Sequence, residues 1–131
     1  MKKRDDLTAS WWRKANSDLI ALKASLEAGA PDAACFHAQQ AAEKALKSYL
    51  TNAGIEFPYT HNQARLVKLC AEADKDFLQL IQVVEPLTPF AVELRYDPEF
   101  WPSPDATAQA QNSARRVHDF VAERLPGDIT K

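Results

Sequence analysis

The chain has 131 residues, 46% hydrophobic and 26% charged, which bounds it to one soluble domain with one core. A formal net charge of -2 argues against a generally basic nucleic-acid binder, because neutralising phosphates takes clustered lysine and arginine. No apolar run approaches the ~20 residues that cross a bilayer, and the two cysteines lack zinc-ligand spacing, so a reducing cytoplasm with two buried free thiols, Cys35 and Cys70, is the expectation.

Residues 1–7 read as a frayed, charged tail, and no apolar stretch follows to make a signal peptide. A first helix is expected from about Ser10, capped by Thr8 or Ser10, with Trp11, Ala15, Leu19, Leu22 and Leu26 as its apolar stripe. Adjacent Trp11 and Trp12 cannot both face one core, so one of them belongs to a rim or an interface, which points to dimerisation or partner docking. Gly29 ends this helix and Pro31 opens the next, a link so short that the two should form an antiparallel αα-hairpin.

The second helix is expected to run to about Asn52, with Gly54 as its stop. Cys35, Ala38, Ala42, Leu46, Tyr49 and Ala53 form an apolar stripe. His37, Gln40, Ala41, Lys44 and Ser48 return at three- and four-residue steps and form a polar one. That polar stripe has two readings. It is a pocket touching a phosphate, a nucleotide or a partner, or it is a buried network locking helix packing, with Glu43 and Lys47 as a surface i,i+4 pair.

Residues 55–61 read as a loop, and Thr60 or Asn62 caps a third helix carrying Leu66, Leu69, Cys70 and Ala73. A further segment with Phe77, Leu80, Ile81 and Val84 is interrupted by Pro86 and Pro89, after which a short helix is expected from Thr88 to about Tyr96. Residues 97–105 form a proline-studded loop. Asp105 caps the last helix, with Ala110, Ala114, Val117, Val121 and Leu125 facing inward and Pro126-Gly127 ending it. The fold class is therefore all-α, an up-and-down bundle of four main helices plus one short one, in a single domain over 1–131 with its core at about 9–126.

Five features in this order resemble the HEPN domain (higher eukaryotes and prokaryotes nucleotide-binding), in its bacterial small-protein branch. They are Trp12 with Ala15 and Asp18-Leu19; the run from Cys35 to Lys47; Thr60-His61 with Leu66 and Leu69; Leu94-Arg95-Tyr96 before an acidic, proline-rich loop; and the alanine-rich last helix. The resemblance implies a bundle that commonly dimerises, a minimal nucleotidyltransferase as its partner in a toxin–antitoxin-like pair, possible nucleotide or RNA contact, and no cofactor. Many family members are metal-independent ribonucleases with a histidine four to six residues after an arginine. Here the arginine is Arg95, and the residues that follow are Glu99, Phe100, Trp101 and Pro102, without a histidine.

The candidate binding residues are thus His37, Gln40, Lys44, His61, Arg95 and Tyr96, and no metal ligands are expected. Arg95 is an anion contact or a structural ion-pair partner, since a guanidinium forks onto phosphate and carboxylate alike. Ribonuclease chemistry would need a base and a cation, for which Arg95 with His37 or His61 from another helix are the catalytic candidates. His118, three residues after Arg115, has the wrong spacing and the wrong helix. By analogy with the family, Tyr96 is the candidate acceptor of a nucleotide transferred by the partner. The expectation to test in space is one opening shared by His37, Lys44 and Arg95.

Overall fold

The computed structural model describes residues 3–131, with the Arg95 side chain outside that description. Seven α-helices follow in order: α1 (Arg4–Glu27), α2 (Pro31–Ala53), α3 (Gln63–Cys70), α4 (Ile81–Val84), α5 (Glu93–Tyr96), α6 (Pro104–Ala122) and α7 (Gly127–Thr130). Two 3₁₀ segments, Lys75–Leu80 and Glu85–Ala91, flank α4, and no strand occurs among the described residues. The chain is an all-α bundle.

The α1–α2 hairpin is the frame, and α2 is its axis. It packs against α1, α6, α3 and the second 3₁₀ segment. Its alanines at 34, 38, 41, 42 and 45 are essentially inaccessible, which lets neighbouring helices come close on several sides. Leu46 and Leu50 fill the layer between, and burying each such side chain contributes roughly 1.5–3 kcal/mol. Gly54 ends α2 at φ 73°, where a side-chain-bearing residue would be strained, and its N–H reaches back to Thr51 O.

Three expectations about α1 and α6 change. The chain is already helical at Arg4, whose guanidinium donates to Asn52 O at 3.3 Å, so the segment before Ser10 is held by the end of α2. Trp12, not Trp11, enters the core, in a stripe with Thr8, Ala15 and Leu22. Trp11 sits at the rim against Phe57. Ser103, not Asp105, caps α6, because Pro104 occupies the first helical position and Ser103 Oγ accepts from Ala106 N–H at 3.1 Å.

The prolines act differently from the expected break. Glu85–Ala91 accommodates Pro86 and Pro89 as 3₁₀ turns, and a new single-turn helix, α5, begins only at Glu93. A 3₁₀ repeat stacks residues three apart, which places Leu87 and Phe90 together in the core, as it does Phe77 and Leu80 in the earlier segment. After Pro126 the chain makes one more turn, α7, which returns against α1.

Candidate functional site

Because α2 is surrounded, three of its polar residues on one i,i+4 ladder, Gln39, Glu43 and Lys47, are buried and must find partners indoors. They do so mutually. Lys47 Nζ donates to Glu43 Oε2 at 3.0 Å, and Gln39 Nε2 donates to Glu43 Oε1 at 3.1 Å. The carboxylate takes a third donor, His61 Nδ1, at 2.8 Å. Gln40 Nε2 donates to Gln39 Oε1, and Gln63 Nε2 donates to the Gln39 carbonyl, both at 2.7 Å. The expected surface pair of Glu43 and Lys47 is therefore buried, at 3% and 6% exposure, because the loop over residues 55–61 lies across it. That loop is held through the ammonium as well: Lys47 Nζ stands 5.3–6.0 Å from the ring centres of Trp11, Phe57 and Tyr59.

A second constellation faces α1. Asp18 lies among the apolar positions Ala15 and Leu22, and its carboxylate is satisfied from α2: His37 Nδ1 donates to Oδ1 at 2.9 Å and Lys44 Nζ to Oδ2 at 2.7 Å. All three side chains are mostly covered. His37 and Lys44 thus come together as expected, but on a carboxylate of the neighbouring helix. An anion would have to displace Asp18 to reach them.

The remaining candidates lie elsewhere. Tyr96 is 76% exposed on α5, and the backbone of Arg95 sits in the same turn, while the role assigned to its guanidinium lies outside the described residues. A cavity of about 270 Å³ ends just before that turn. Gln39, His61, Asn62 and Gln63 form one side of it, and Leu87, Thr88, Ala91 and Val92 the other. The opening next to α5 is therefore built with His61, not with His37 and Lys44, which the single-opening expectation had placed there. With Nδ1 on the Glu43 carboxylate, the other ring nitrogen of His61, Nε2, is left for a further partner, about a third of the side chain being exposed. The side-chain oxygen of Gln63, one of the lining residues, is buried and has no hydrogen-bond partner.

Asp18 and Glu43 are the two site residues that the sequence reading undervalued. Each had a signal: Asp18 breaks an apolar stripe, and Glu43 lies one helical turn from both Gln39 and Lys47. His118 packs on Trp12, the rings stacked 4.4 Å apart, with its Nε2 3.0 Å from Asn16 Oδ1, so it serves the α1–α6 contact. No group of three or more His, Cys, Asp or Glu side chains converges as a metal site among the described residues. Among those residues no helix is long and apolar enough to cross a membrane. Burial pushes the Cys70 thiol up to about 12 and raises that of Cys35, so both thiols stay protonated and unreactive.

A family model described as the HEPN domain matches residues 8–125. Two solved structures share the fold. TT1696 from Thermus thermophilus is 26% identical over 90% of this chain and 98% of that one, with a TM-score of 0.73. ST0689, described as an archaeal HEPN homologue, is 25% identical over 96% of this chain and 100% of that one, with a TM-score of 0.69. No curated protein matches the chain.

Proposed function

The chain belongs to the HEPN domain family, and from that premise we propose that it is a binding component: the homodimeric partner of a minimal nucleotidyltransferase in a toxin–antitoxin-like or stress-related pair. The observation that carries this reading is the state of the Arg95-Tyr96 turn. Tyr96 stands exposed on a single helical turn, and no histidine occurs in the six residues after Arg95, so a ribonuclease motif is replaced by an accessible phenol next to an arginine in sequence. Two lysines of α2 support the same reading. Lys44 and Lys47 are each neutralised by a carboxylate of this chain, which leaves neither free to hold a phosphate.

In the pair, the partner would transfer a nucleotidyl group from a nucleoside triphosphate to the Tyr96 oxygen, displacing pyrophosphate as the phenol loses its proton. The test is co-expression with a nucleotidyltransferase encoded in the same genome, followed by co-purification and incubation with labelled ATP. Label is expected on the wild type and absent from Tyr96→Phe. No complex with the nucleotidyltransferases of that genome would sink the reading.

A second reading is a HEPN ribonuclease using Arg95 with a histidine from another helix. The position of His61 on the cavity next to α5 favours it as that histidine over His37, which is committed to Asp18. RNA cleavage by purified protein, lost in both Arg95→Ala and His61→Ala, would establish this reading and displace the first.

A further inference from the structure

The chain's charge is unevenly placed. Residues 85–105 hold five carboxylates, Glu85, Glu93, Asp97, Glu99 and Asp105, all exposed, against a single basic residue, Arg95. The same stretch carries Val92, Tyr96 and Trp101, at 56%, 76% and 65% exposure, three of the seven large hydrophobic side chains that stand in solvent among the described residues. Packing explains the outward turn of Trp101: its neighbour Phe100 is the anchor, 6.2 Å from the buried ring of Phe90, and successive residues of an extended loop point opposite ways. A strip that combines exposed aromatics with one sign of charge is a recognition surface in form.

The cavity continues the strip through Val92. Its polar lining consists of His61, Asn62, Thr88 and the amides of Gln39 and Gln63, the Gln63 oxygen being buried without a hydrogen-bond partner, with no lysine, arginine or carboxylate among the described lining residues. An acidic rim and exposed aromatic faces beside a polar cavity that holds no described cation suit one kind of group. Arginine and lysine side chains carry only donors, pair with carboxylates, and stack on tyrosine and tryptophan.

We propose that the strip from Glu85 to Asp105, with the cavity at His61 and Gln63, docks an arginine- or lysine-bearing segment of a partner protein. Five exposed carboxylates disfavour a nucleic-acid backbone here, so RNA is the competing occupant that the test must separate. The inference rests on the reading of the chain as a binding component only in supposing that a protein is what occupies the strip.

Three probes test it: a synthetic peptide of arginine, alanine and leucine, its counterpart with glutamate for arginine, and a single-stranded RNA oligonucleotide. The readout is tryptophan emission, with Trp101→Phe identifying the contribution of Trp101. The arginine peptide is expected to shift Trp101 emission. Glu93→Lys with Glu99→Lys should weaken its binding about tenfold or more, and salt near 0.5 M should do the same. Asp97 is left in place because its Oδ1 accepts from Glu99 N–H and holds the turn. Reversing Glu27 and Asp128, exposed acids elsewhere, should change nothing. An equal response to the RNA or to the glutamate peptide overturns the proposal. So does undiminished binding of a fluorescently labelled arginine peptide to Trp101→Ala, read by anisotropy, which would reduce the effect to unspecific charge attraction. The nucleotidyltransferase separates the two claims. Equal binding of it to the wild type and to the Glu93→Lys, Glu99→Lys variant overturns this surface and leaves the partner reading standing. Peptide binding at the strip with no nucleotidyltransferase complex does the reverse.

Discussion

Asp18 and Lys44, on adjacent antiparallel helices, close an ion pair of 2.7 Å whose carboxylate also takes the Nδ1 proton of His37 at 2.9 Å. The two α2 residues that look most like a phosphate grip are thereby the ties between α1 and α2. Asp18→Ala leaves an imidazole and a mostly covered ammonium without their acceptor, and a loss of about 1–3 kcal/mol is expected by urea unfolding. Lys44→Ala should cost less, because His37 still satisfies one oxygen of Asp18. If Asp18→Ala were instead neutral in stability and created nucleotide affinity, the pair would be a gate rather than a tie.

Glu43 is the more heavily committed carboxylate, with Gln39, Lys47 and His61 all donating to it at 4% side-chain exposure. Glu43→Ala strands the buried ammonium of Lys47, and a loss of about 3–5 kcal/mol is expected. Glu43→Ala combined with Lys47→Ala should lose less than the sum of the single changes, with a coupling of about 0.5–3 kcal/mol in a double-mutant cycle. A strictly additive cycle would show that the aromatic rings of Trp11, Phe57 and Tyr59, not the carboxylate, hold the ammonium.

The apolar periodicity of α6 was legible because 3.6-residue spacing states which face is covered, and Ala110, Ala114, Val117, Val121 and Leu125 all lie inside; the α2 stripe holds except at exposed Ala53, and in α1 only Ala15 and Leu22 of the expected stripe are fully buried, with Trp12 in place of Trp11. The start of α1 was not, because Arg4 is held by the carbonyl of Asn52, a contact 48 residues away. The 3₁₀ turns at Pro86 and Pro89 escaped a reading that treats proline only as a breaker. The site was half visible. His37 with Lys44 was a correct grouping by register, whereas burial of Glu43 and Lys47 depends on where the 55–61 loop falls, and local sequence does not encode that.

Asp74 yields an acid-side prediction. Its Oδ1 accepts from Asp76 N–H at 3.0 Å, and its Oδ2 from Arg124 Nε at 2.9 Å; the backbone donor first, then the guanidinium, hold its carboxyl below the usual carboxylate range. A group whose folded value is depressed stabilises the fold above its unfolded value and loses that contribution as pH falls through the folded one. Asp74→Asn should therefore lower Tm by a few degrees at pH 7, and the two melting curves should converge as pH drops below about 4. A gap of the same size at pH 3 and pH 7 would mean that shape, not charge, sets the cap.

Cys70 makes the alkaline prediction, with the opposite sign. Its thiol is fully covered, and burial moves it from 9.0 to about 12 in the folded chain. Above pH 9 the unfolded chain ionises this thiol and the native chain does not, so native stability falls as pH rises toward the folded value, at up to about 1.4 kcal/mol per pH unit from this group. Cys70→Ala leaves a small void and lowers stability at pH 7, yet its stability should decline less between pH 9 and 11 than that of the wild type. A thiol reagent provides the kinetic check. At pH 8 the native protein should react only as fast as it opens, and denaturant should release both Cys35 and Cys70 together. Rapid labelling of one thiol in the folded protein would mean that the α2–α3 packing over Cys70, or the α2–α6 packing over Cys35, opens locally.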